Sequence, residues 1–193
     1  MKLIDMDLSI LISQTRKANA NPGGGALLIL ISNLAINLML MMDKKNWGEL
    51  ENKANVSRET IIDHSKKLEE LMQADVDSFD YLMKSFKSNC ARQQDYIEAA
   101  NPLISMVDIS LDCLDILSFY LLNGKKSTLT DGEISNNLLK ECILSSIPTI
   151  NINMENTDEN IDYDEIKSKT YNLYKKNKEI IERREKWQQY MLS

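Results

Sequence analysis

Turn-forming residues are scarce in this chain. Six glycines and three prolines among 193 residues leave little material for a multi-stranded, turn-rich β fold. Histidine occurs once, at His64, which removes a Ser-His-Asp triad and any multi-histidine metal site. The three cysteines, Cys90, Cys113 and Cys142, are odd in number and far apart. With no CxxC pair, neither a disulfide framework nor a zinc site is legible. The N-terminus, Met1-Lys2-Leu3-Ile4-Asp5, lacks the apolar run of a secretory signal, so a reducing, cytoplasmic setting is expected. A basic field is missing too: 29 acidic against 23 basic residues give a net charge of −6. That excludes a general nucleic-acid binder, which must displace phosphate counterions.

What is present reads as helix. Hydrophobic content of 43% and charged content of 27% are globular values. No repeat, linker or composition break divides the chain, so a single all-α domain over residues 1–193 is expected, a bundle of about six helices. Ala26 to Met42 is apolar on nearly every face, interrupted by Ser32, Asn33 and Asn37. It is short for a membrane span and carries three polar side chains, which favours the buried central helix of a bundle. A first helix is expected over Asp7–Asn19 with Asp7 as N-cap, and a long amphipathic one over Ser57–Lys87. Pro102 should start or kink the next helix, which Gly124 closes. Thr130 and Glu133 have the spacing of a capping box opening a helix to about Ser146. Pro148 should end that helix, leaving Thr149–Asn153 free to be extended. Ile166, Leu173, Ile180 and Trp187 then recur every seven residues, as in a long final helix laid along the bundle or a second subunit.

Several residues carry possible chemistry. Asn21-Pro22-Gly23-Gly24-Gly25 precedes the buried helix. Three glycines there permit positive φ, close approach of another group, and free N–H donors at the positive end of a helix dipole; a tight interhelical turn explains them equally well. No Gly-Lys-Ser/Thr follows, so it is not a P-loop. Asp75 stands out on the helical wheel, inside the apolar face made by Ile61, Leu68, Met72, Val76, Phe79 and Phe86. A carboxylate there must be hydrogen-bonded, paired or facing a cavity, and its pKa should rise, which suits acid/base work. A buried acid with a purely structural role is the alternative. Asp131 lies in a first helical turn, where the dipole favours any acid. Lys44 and Lys45 are either ordinary C-terminal charges or an anchor for an anionic substrate. His64 is too far along its helix to pair with Asp75. Asp108, Asp112 and Asp115 read as a solvated face rather than a metal site.

Taken in order, these segments resemble the formimidoyltetrahydrofolate cyclodeaminase / methenyltetrahydrofolate cyclohydrolase family, also found as the C-terminal domain of formiminotransferase-cyclodeaminase. Pro22-Gly23-Gly24-Gly25-Ala26 is similar to the family's P-G-G-G-S turn, and Asp43-Lys44-Lys45-Asn46-Trp47 to its G-K-K-x-aromatic segment. Asp75 to Phe79 matches D-x-x-x-F, and Asn101-Pro102 resembles the valine-proline helix break. Thr130-Asp131-Gly132-Glu133-Ile134 corresponds to S-D-x-G-V, and Thr149 through Asn153-Met154 to N-x-x-x-N-L.

The resemblance implies an all-α homodimer that binds a reduced folate, polyglutamylated or not, in a cleft partly formed between subunits. It implies chemistry at 5,10-methenyltetrahydrofolate, by cyclodeamination or cyclohydrolysis, with no metal and no cofactor beyond the tetrahydrofolate substrate. Asp75 would be the general acid/base and Asp131 a second acid. Pro22, Gly23, Gly24, Gly25, Lys44, Lys45, Thr130 and Asn153 would hold the folate, and neither a membrane nor a nucleic acid is implied as partner. Polar residues that the family often carries late in the buried helix are here Leu38 to Met42, and four single positions depart from the pattern as well. Ala26 stands for serine, Asp43 and Glu133 for glycines, and Thr149 for asparagine. They support a second reading, a helical dimer that keeps the fold and binds folate with weakened or lost chemistry.

Overall fold

The structure is a computed structural model that describes residues 2–17 and 22–192, with side chains as far as Glu185. Six α-helices occur among the described residues: α1 (Leu8–Thr15), α2 (Gly24–Met39), α3 (Glu51–Lys87), α4 (Gln93–Asn123), α5 (Leu129–Met154) and α6 (Tyr163–Leu192). No strand occurs among them. The expected all-α fold is what the chain adopts.

Helix α2 is the axis around which the rest is built. It packs against α3, α4 and α5, and α6 lies against α4 and α5. Ile29, Ala35, Ile36 and Met39 are fully buried. The polar residues in its apolar run are satisfied: Ser32 Oγ meets Ser110 Oγ of α4 at 2.7 Å, and Ser65 of α3 donates to Asn33 Oδ1 at 2.7 Å. Together with the 3₁₀ turn Leu40–Met42, α2 is long and apolar enough to cross a membrane, but half of that stretch is buried inside the bundle. Helix α3 buries Ile61, Leu68, Leu71, Met72, Val76 and Leu82 along the stripe expected from the wheel. Phe86 departs from that stripe and is 60% exposed. Because Asp75 already lies beside the first turn of α2, the last turns of α3 run past the helix that covers the rest.

Several expected boundaries move. Asp7 occupies the N-cap of α1 without a side-chain hydrogen bond, and the helix ends at Thr15; Asn19 lies outside the described residues. Helix α3 starts at Glu51, six residues before the expected Ser57. Pro102 neither starts a helix nor interrupts one: α4 runs through it from Gln93. Helix α5 likewise continues through Pro148, so Thr149–Asn153 is helical and not extended. The Thr130/Glu133 capping box does not form. Thr128 is the N-cap, and Glu133 is instead paired with Lys178 of α6 at 2.5 Å. Gly124 does close α4, with extended rather than left-handed backbone. Its role is space, since a Cβ there would lie 2.7 Å from the carbonyl oxygen of Met42.

The final helix is fastened by buried polar groups as well as by its heptad. Ile180 is buried, Ile166 and Leu173 pack on the core, and Trp187 falls outside the described side chains. Asn177 donates to the Leu114 carbonyl at 2.9 Å and to Asn136 Oδ1 at 3.0 Å. It accepts from Ser118 at 2.7 Å. Arg184 donates to the carbonyls of Leu121 and Gly124, closing the C-terminus of α4.

Candidate functional site

At one end of the bundle, the first turn of α2 faces the middle of α3 and the last turns of α5. A cleft of about 300 Å³ opens there, lined by Gly23, Gly24, Gly25, Asp75, Phe79, Ala99, Thr149, Ile152 and Asn153. That volume is at the lower end for a small-molecule site. Among the described residues, Asp75 is the only ionisable side chain in the lining.

The glycine turn works by steric vacancy rather than by unusual dihedrals. Gly23 is the N-cap in extended conformation, and Gly24 and Gly25 are already helical; none of them has positive φ. A Cβ built on Gly25 would lie 2.7 Å from Asp75 Oδ2 and 2.8 Å from its carboxyl carbon, whereas one on Gly24 would meet nothing within 4 Å. The Asp75 carboxylate therefore sits flush against the start of α2, where helix N–H groups lack intrahelical partners. The Ala26 N–H donates to it. Burial raises the carboxyl from 3.8 to about 6, and the Ala26 hydrogen bond only partly offsets this. Near neutrality such a group exists in both protonation states, as a proton-transfer residue must.

Asn153 faces Asp75 from α5. Its side chain is 9% exposed and makes no hydrogen bond among the described residues. Its amide atoms open onto the cleft rather than being sealed in the core, so they offer a donor and an acceptor to whatever fills it. Phe79 and the 65%-exposed Ile152 give the opening apolar walls. Ile152 and Ala99 were not signalled by the sequence. An alanine carries no chemical mark, and Ile152 falls in a stretch whose helical continuation Pro148 obscured.

The remaining candidates lie elsewhere. Lys44, Lys45, Thr130 and Asp131 sit beyond the C-terminal end of α2 and at the start of α5. The 16 residues of α2, at ~1.5 Å each, alone separate them from Asp75 by roughly 24 Å. Within one chain they do not share the cleft. Around them the structure is tightly laced: Thr128 Oγ1 donates to the Met41 carbonyl, Lys125 N–H to that of Met42, and a Cβ on Gly132 would meet Leu121 Cδ2 at 2.8 Å. Lys44 lies over the Trp47 ring at 4.5 Å, and Trp47 stacks on Phe119. Asp43 accepts from Arg58, from Trp47 Nε1 at 2.8 Å and from the Lys44 N–H. Burial would raise its pKa, but these donors outweigh that and hold it below 3.8. Lys45 is exposed and Asp131 half-buried.

Two of the three acids on the α4 stripe are paired. Asp112 meets His64 at 2.8 Å, and Asp115 meets Lys176 at 3.0 Å. No group of three or more metal-ligating side chains occurs among the described residues. A larger hollow of about 560 Å³ beside α3 is lined by the exposed, solvated Lys66, Glu70 and Asp77.

Comparison with known proteins adds a family to this geometry. A family model described as Formiminotransferase-cyclodeaminase matches residues 7–172. The chain belongs to the formiminotransferase-cyclodeaminase family. Its fold is that of the crystal structure of formiminotetrahydrofolate cyclodeaminase from Thermotoga maritima, with a TM-score of 0.84 over 93% of this chain and 97% of that one, at 20% sequence identity. No curated protein matches the chain. Family membership and fold support a role in folate one-carbon chemistry of the cyclodeaminase/cyclohydrolase kind.

Proposed function

We propose that the chain is an enzyme acting at 5,10-methenyltetrahydrofolate, as a cyclohydrolase or a formimidoyltetrahydrofolate cyclodeaminase, with Asp75 as general acid/base. The observation that carries this is one half-buried carboxylate, with a pKa raised to about 6, facing an unpaired Asn153 in a cleft of a family-matched chain. In cyclohydrolysis, ionised Asp75 takes a proton from the water attacking the methenyl carbon. It returns that proton to N5 as the C–N5 bond breaks, and the remaining hydroxyl proton passes to solvent as the formyl carbonyl forms, giving 10-formyltetrahydrofolate. In cyclodeamination, N10 attacks the 5-formimino carbon, and the acid protonates the leaving nitrogen as ammonia departs. Neither sequence needs a metal or a further cofactor. The free cysteines suit a reducing cytoplasm.

The same reading gives the distant candidates a route to the cleft through a homodimer. Leu27, Leu30, Ile31, Leu34, Leu38 and Met41 form a stripe along the outer face of α2, with Leu34 60% exposed. An apolar stripe of this length on a surface marks an interface. Two copies of α2 packed antiparallel about a two-fold axis at Leu34 would set Leu27 against Met41 and Leu30 against Leu38. The partner subunit's Lys44, Lys45 and Asp131 would then lie at the glycine end of this chain's cleft, supplying cations for an anionic folate and a second acid.

Of the four departures from the family pattern, Asp43 and Glu133 are engaged locally with Arg58 and Lys178, away from the cleft. Ala26 and Thr149 remain at the cleft and favour the second reading, a folate-binding dimer without turnover. An absorbance assay separates the two. Enzyme-dependent loss of the methenyl chromophore from 5,10-methenyltetrahydrofolate identifies a cyclohydrolase, and its appearance from 5-formiminotetrahydrofolate a cyclodeaminase. Folate binding without either change establishes the second reading. No binding at all would overturn both.

A further inference from the structure

Of the two glycines that open α2, Gly25 touches Asp75 and Gly24 does not, and the contact is with the carboxylate itself. Its Cβ volume is occupied by that group, at 2.7 Å from Oδ2 and 2.8 Å from the carboxyl carbon, whereas Gly24 faces open space. Real Cβ atoms do not approach other atoms so closely, so any side chain at position 25 must displace the carboxylate or the helix. Position 25 is itself buried inside the first turn, so it has no surface to give. The N–H of the next residue, Ala26, holds the carboxylate from the same turn.

We infer that Gly25 is a positioning residue: its missing side chain is the socket that seats the Asp75 carboxylate on the Ala26 N–H at the floor of the cleft. This deepens the proposed acid/base role and rests on it. It also separates Gly25 from Gly24, which the sequence pattern treats alike. Gly24 contributes backbone at the cleft wall, and Gly25 contributes the volume it leaves empty. No other titratable side chain lines the cleft from α2, α3, α4 or α5, so the seat is set by space and one backbone donor alone.

The test is a pair of cycles on the full chain with Gly25→Ala, Gly24→Ala and substitutions at Asp75. In turnover of 5,10-methenyltetrahydrofolate, Gly25→Ala should lower kcat at least about tenfold with KM changed less than about twofold, since it moves the proton-transfer group and not the substrate. In an Asp75→Asn background, Gly25→Ala should remove nothing further, because residues acting as one unit are non-additive. The second cycle reads thermal stability and needs no activity. Gly25→Ala should lower Tm by several degrees, and Asp75→Ala, which empties the space the new Cβ enters, should restore most of that loss. Gly24→Ala, whose Cβ would meet nothing within 4 Å, should leave Tm within about one degree. Equal Tm losses in Gly24→Ala and Gly25→Ala, or a kcat loss that persists in the Asp75→Asn background, would overturn the proposal. So would a Tm loss that Asp75→Ala does not relieve. A chain inactive on folates whose Tm cycle still couples positions 25 and 75 would refute the enzyme reading while leaving the socket intact.

Discussion

Asp75 carries opposite signs for stability and for chemistry. Its pKa rises from 3.8 to about 6 because burial penalises the charged form. The folded chain therefore binds this proton more tightly than the unfolded chain. The stability it brings is fully present below about pH 3.8, declines as pH rises through about 6, and is absent above it. A rise of that size is worth at most ~3 kcal/mol. Asp75→Asn, a neutral isostere, should thus gain up to that amount relative to the parent at pH 8 and nothing at pH 4, as read by denaturant melts at the two pH values. The same substitution should lower turnover by roughly 10²–10⁴-fold, the usual share of a general acid/base. A structural acid would show the reverse, stability lost at pH 8 and turnover retained.

At the scale of the helices, the two internal prolines are the instructive positions. Pro148 is exposed inside α5. Its ring removes the hydrogen bond to the Leu144 carbonyl, since proline carries no N–H. Pro148→Ala should raise stability by about 1–3 kcal/mol and leave turnover unchanged, which a thermal melt and the chromophore assay would show. The prolines are also where the sequence misleads. Hydrophobic spacing located α2, the C-terminal end of α3 and the face of α6, because those patterns are set by the core they meet, whereas the start of α3 lies six residues earlier than expected. Local stop signals at Pro102 and Pro148 were overridden by the buried residues on either side, among them Leu103 and Met106 in α4, Ile147 and Ile150 in α5. The Thr130/Glu133 spacing failed for the same kind of reason, because Lys178 of α6 competes for Glu133. At the site, Asp75 was legible because one acid interrupted an apolar face. The split between Gly24 and Gly25 was not, because it depends on which neighbour arrives from 50 residues away.

At the scale of the whole molecule, the outer stripe of α2 makes a prediction about assembly with a built-in register. In a Cys90→Ser background, which removes the one exposed cysteine of the three, Leu34→Cys should form a disulfide-linked dimer on mild oxidation, because Leu34 would face its own copy. Met41→Cys alone should not, since its counterpart is Leu27. Leu34→Glu should shift the chain to monomer in sedimentation and weaken turnover with it. The other face of the bundle has a different dependence. The family match stops at residue 172, yet Asn177 lies just beyond it, joined to Ser118, Asn136 and the Leu114 carbonyl. A chain trimmed at residue 172 would strip those groups of their partner and lose the buried Ile180 and Ile181, uncovering the core beneath α6. The end of the family-model match is therefore not the end of what closes this core.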